Sequence, residues 1–135
     1  MGTYYLKRGD VGPTMEVQLL DPDENAHDLS TGSPEVKLHI WLSDGTKLSA
    51  RDMTISDAAN GKVQYKWQSS DWAAGELVAS PTPPFSPGQR DHRMEYEVLR
   101  AGAPERLTFP NGGPQGAADA YDTLHIQDDI GEGSL

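Results

Sequence analysis

An apolar/polar alternation that recurs in short runs constrains this chain most. Successive side chains on an extended strand face opposite sides, so a half-buried sheet reads apolar, polar, apolar. Met15, Val17 and Leu19 alternate with Thr14, Glu16 and Gln18, and Val36, Leu38, Ile40 and Leu42 alternate with Lys37, His39 and Trp41. Val63, Tyr65 and Trp67 are interleaved with Lys62, Gln64 and Lys66, as Met94, Tyr96 and Val98 are with Arg93, Glu95 and Glu97. Shorter candidate strands are 4–7, 47–49, 53–55, 76–79, 106–109 and 123–127. No window of roughly 11 or more residues sustains a 3.6-residue apolar period, so helix is sparse. The segment 70–75 can form about one capped turn before Gly75 stops it.

The punctuation agrees with the alternation. Asp44-Gly45 and Asn60-Gly61 are pairs that accept positive φ cheaply, as hairpins require. Roughly ten short strands separated by such turns predict an all-β fold, an antiparallel immunoglobulin-like β-sandwich, with a small barrel as the alternative. One sandwich domain over 1–127 is expected. A proline-rich loop at 80–92 cannot supply ladder N–H groups, residues 110–116 form a second loop, and 128–135 make an acidic, flexible tail.

Composition narrows the function. The 135 residues carry a net charge of -10, and their 11 Lys+Arg are scattered singly or in pairs. Without a basic stripe to neutralise phosphates, neither nucleic acid nor an anionic membrane is an expected partner. Leu, Ile, Val and Phe make up 24 residues, about 18%, which lies at the edge where chains stay disordered. Three Trp, five Tyr and four Met, mostly within the alternating runs, supply the missing core. No stretch has the apolar length of a signal peptide or a membrane span, so a soluble protein made in a cytoplasm is expected. The absence of cysteine removes disulfides, thiolate nucleophiles and Cys-type zinc sites together.

Few residues invite chemistry. Asp21, Asp23 and Asn25 fall at the first, third and fifth positions of a calcium-type loop, near His27 and Asp28. The sixth position is Ala26 and the twelfth Gly32, so the run reads as a solvated turn. His27, His39, His92 and His125 have no metal-ligand spacing and are expected at the surface, with His39 and His125 facing solvent or a partner. No Gly-x-Ser-x-Gly elbow or phosphate-cradling loop occurs, and Arg8-Gly9-Asp10 reads as turn chemistry. No catalytic residue, cofactor or metal is expected. Trp41, in the polar phase of an aliphatic strand, is a candidate interface residue, joined by His39 on the same face and by Phe85 in the proline-rich loop.

A resemblance adds to this reading. Tyr4-Tyr5-Leu6-Lys7-Arg8-Gly9-Asp10, then Gly12-Pro13-Thr14 and Val17-Gln18-Leu19-Leu20-Asp21, together with Asp44-Gly45, residues 53–63 and Tyr65-Lys66-Trp67, resemble the amino-terminal immunoglobulin-like domain of the phage baseplate upper protein family. The likeness covers roughly residues 3–79 and resumes at 94–110, while 80–92 is an insertion where that family passes directly into one long strand. It implies a non-enzymatic virion structural protein of the tail, baseplate or neck, assembled in the host cytoplasm. Its partners would be other virion proteins, met in multiple symmetric copies. The alternatives are a capsid decoration protein, or a carbohydrate- or calcium-binding module in which Trp41 or Phe85 stacks on a sugar and Asp21, Asp23 and Asp28 hold a cation.

Overall fold

The computed structural model describes residues 3–21, 23–81, 87, 90–101, 106–109 and 121–127. Phe85, the whole 110–116 loop and the tail 128–135 lie outside them. The described residues form eight strands: β1 (Thr3–Lys7), β2 (Thr14–Gln18), β3 (Glu35–Trp41), β4 (Arg51–Asp57), β5 (Lys62–Lys66), β6 (His92–Leu99), β7 (Arg106–Phe109) and β8 (Asp122–Gln127). A 3-10 turn spans Ser69–Trp72, where the single capped turn was expected.

The fold is all-β and sandwich-like. Its strand order is β1-β8-β6-β3-β4-β5-β2, with β7 paired to β6 off this path, and the mixed sheet curls nearly closed into a barrel. β4 makes the corner. Its first half pairs with β3 (Val36 opposite Met53) and its second half with β5 (Ile55 opposite Val63), with a bulge between Ile55 and Asp57. One layer is therefore β1-β8-β6-β3, with β7 beside β6, and the other β5-β2.

The pairing is not antiparallel throughout: β1 runs parallel to β8, from Thr3 beside Thr123 to Lys7 beside Gln127. A parallel pair needs a long connection, and here almost the whole domain lies between the two strands. The 8–13 turn, which leads from β1 to β2, is tied to the chain just beyond β5 and to the 3-10 turn. The Gly12 N–H donates to the Trp67 carbonyl (3.0 Å), the Trp67 N–H to the Pro13 carbonyl (3.0 Å), and Trp72 Nε1 to the Asp10 carbonyl (2.8 Å). Gly9, at φ +89, allows the Arg8-Gly9-Asp10 turn to close with Asp10 N–H on the Lys7 carbonyl.

The alternation becomes the core. Val36, Leu38 and Ile40 of β3, Met94, Tyr96 and Val98 of β6, and Leu124 and Ile126 of β8 are all buried. From the other layer come Met15, Val63, Tyr65 and Trp67, with the Tyr65 and Trp67 rings edge-on at 5.0 Å. At the Asn60-Gly61 turn, a Cβ on Gly61 would lie 2.5 Å from the His27 carbonyl oxygen, so the 19–27 turn can pack against it only because that position is glycine.

Two expected strands do not form. Lys47 makes a single bridge with Trp41, and β4 begins only at Arg51. In 76–79 Leu77 is buried, but its N–H goes to the Asp71 carbonyl rather than into a ladder. His92, expected at the surface in the 80–92 loop, is a correction. It opens β6 with no exposure, because both ring nitrogens find backbone partners: Nδ1 accepts from Ser43 N–H (2.9 Å) and Nε2 donates to the Val78 carbonyl (2.8 Å).

Candidate functional site

The phase that buries one face of β1, β8, β6 and β3 turns the other outward. That outer face carries Lys37, His39 and Trp41 from β3, Arg93 and Glu95 from β6, His125 from β8 and Tyr5 from β1. Register decides which of them meet. Trp41 lies opposite Arg93 and His39 opposite Glu95, while Tyr5 lies beside His125.

His39 Nε2 reaches diagonally to Glu97 Oε1 at 3.0 Å, and since a carboxylate only accepts, Nε2 donates. The two side chains are 16% and 11% exposed, so His39 faces its sheet neighbour rather than open solvent. Its Nδ1 is buried without a hydrogen-bond partner. Trp41 is half-buried, with the His39 ring 6.1 Å away and Lys47 Nζ 5.2 Å from its ring centroid, a cation–π contact brought about by the Trp41–Lys47 bridge.

At the other end of the face is a cavity of about 550 Å³. The outward row of the β1–β8 ladder forms its floor: Thr3, Tyr5, Thr123, His125 and Gln127. Arg90, Asp91 and Tyr121 form its walls. His125 Nδ1 and Asp91 Oδ2 are 2.5 Å apart, a short pairing made where Asp91 enters β6. Tyr5 is 66% exposed, its ring edge-on to His125 at 5.8 Å. The Arg93 guanidinium lies 5.5 Å from the centre of the Tyr121 ring. The arrangement offers aromatic surface, hydroxyls, an amide and a guanidinium to a ligand.

The chain's other polar clusters hold the fold. Asp71 is buried and accepts from Tyr65 Oη (2.8 and 2.9 Å), Arg51 Nε (2.9 Å) and Gln68 N–H (2.8 Å). Burial first, then the bond to Asp71, pushes the Tyr65 phenol well above the usual tyrosine range. Burial, reinforced by the charge of Asp122 2.9 Å from its hydroxyl, does the same to Tyr96. In the calcium-like run, His27 donates through Nδ1 to Asp21 (3.0 Å) and accepts through Nε2 from Arg100 Nη1 (3.2 Å). Asp28 accepts from the Ser30 N–H and hydroxyl, which hold its carboxyl below the usual range. These oxygens are committed to the turn, and among the described residues no group of three or more His, Asp or Glu is placed to hold a metal.

Neither a protein-family model nor a curated protein matches the chain. Of the residues singled out by sequence, Trp41 and His39 share the outer face and Phe85 falls outside the described residues. The cavity residues Tyr5, Arg90, Asp91 and Tyr121 were not singled out. The outward phase of Tyr5 was readable, but its meeting with His125 depends on a parallel pairing that leaves no local mark.

Proposed function

We propose that the chain is a phage virion structural protein, a small sandwich component of the tail, baseplate or neck that docks other virion proteins. The observation that supports this is Trp41. A half-buried indole stands on the outer sheet face, braced by His39 and Lys47, where a partner can cover it. Aromatic side chains with one exposed face are enriched in interfaces and carry much of their binding energy. The resemblance of residues 3–79 and 94–110 to the baseplate upper protein domain supplies the setting.

Quantifying the chain in separated heads and tails of virions tests the reading. Enrichment in tails at a symmetric multiple supports it, enrichment in heads points to capsid decoration, and absence from both overturns it. Trp41→Ala is expected to weaken incorporation by about 2 kcal/mol or more of binding while thermal unfolding is little changed.

A further inference from the structure

We propose that the cavity over the β1–β8 ladder binds a saccharide bearing a carboxylate. Its volume of about 550 Å³ lies within the ~300–1,000 Å³ of small-molecule sites. The ring of Tyr5, 66% exposed and touching His125 only edge-on, leaves a face for the C–H groups of a pyranose. Around it stand single hydrogen-bonding groups, the hydroxyls of Thr3 and Thr123 and the Gln127 amide, which suit a ring carrying several hydroxyls. An extended peptide would instead seek the outer backbone edge of β1, which no other described strand pairs, outside this cavity.

The charge argues for the carboxylate. The chain carries a net charge of -10, yet the cavity wall presents Arg90, whose guanidinium has no hydrogen-bond or ion-pair partner among the described residues. Lys7, the ladder neighbour of Gln127, adds a second positive charge on β1 two residues beyond Tyr5. The acidic group in the wall, Asp91, is already engaged by His125. Arg90 is therefore free to take a carboxylate through two parallel N–H bonds while the sugar ring lies on Tyr5. The cavity lies on β1 and β8, at the other end of the outer face from Trp41 on β3, and none of its lining residues is used in the docking reading, so the inference is tested separately from it.

The test is an amide NMR titration of the full-length chain with three probes: a short uronic-acid oligosaccharide, a neutral oligosaccharide of the same linkage, and inorganic sulfate. The uronic-acid probe is expected to shift Thr3, Tyr5, Arg90, Thr123 and His125, and the neutral probe to bind roughly tenfold or more weakly. Sulfate should leave the Tyr5 and Thr123 amides unmoved. Arg90→Ala and Tyr5→Ala should each weaken uronic-acid binding by about tenfold or more with an unchanged melting temperature. The proposal is overturned by equal binding of the neutral probe, by sulfate reproducing the same shifts, by undiminished binding in both variants, or by no shifts with any probe.

Discussion

Asp71 has both carboxylate oxygens committed, with its side chain only 3% exposed and that of its partner Arg51 10% exposed. Removing one member of such a pair strands the other's charge, so Asp71→Ala is expected to lower stability by about 3–5 kcal/mol in urea unfolding. The double variant Arg51→Met/Asp71→Leu should recover much of that loss, because no charge is then left buried and unpaired. The buried tyrosines respond to pH instead. Below the ordinary tyrosine value of 10.0, the native and unfolded states both keep these protons. Above it the unfolded chain releases protons that native Tyr65 and Tyr96 retain, so stability falls as pH rises. For Tyr96 the slope is about 1.4 kcal/mol per pH unit, and Tyr96→Phe should remove that share of it in denaturant titrations at stepped alkaline pH. The sequence marked residues 70–75 as a capped turn, but not Asp71's partners. Arg51 is distant in the chain, and only tertiary contact brings it there. His92 was misread for the same reason, since its two partners come from Ser43 and Val78.

At the scale of elements, alternation read the eight strands well because each buries one face. It over-read 47–49 and 76–79, where a lone buried leucine imitates the pattern without a ladder to join. It also missed the parallel pairing of β1 with β8, which sets the cavity floor, since parallel partners can be joined by any long connection. The described ends of the proline-rich segment 80–92 are both fixed to one strand. Ser80 exchanges hydrogen bonds with Ile126: its N–H donates to the Ile126 carbonyl and its hydroxyl oxygen accepts from the Ile126 N–H, both at 2.8 Å. Asp91 pairs with the adjacent His125, so residues 80 and 91 lie beside the same stretch of β8. Replacing residues 82–89 with a short Gly-Ser linker is therefore expected to preserve a single cooperative melt, with a change in stability near 1 kcal/mol. A deletion extending through Asp91 and His92 should abolish that melt, because His92 is core.

The molecule as a whole is joined by β4, whose two halves belong to different layers. Neither layer can shed this strand without breaking the other, so one two-state transition is expected. Fluorescence of buried Trp67 and far-ultraviolet circular dichroism should give coincident urea curves, and separated midpoints would show that the layers unfold independently. The parallel β1–β8 ladder gives the domain a mechanical character as well. β1 enters the ladder at Thr3 and β8 leaves it at Gln127, at opposite ends of five register pairs. Tension applied along the chain from these two points shears the ladder rather than peeling it. Its hydrogen bonds then share the force and yield together, a geometry suited to a component held under load.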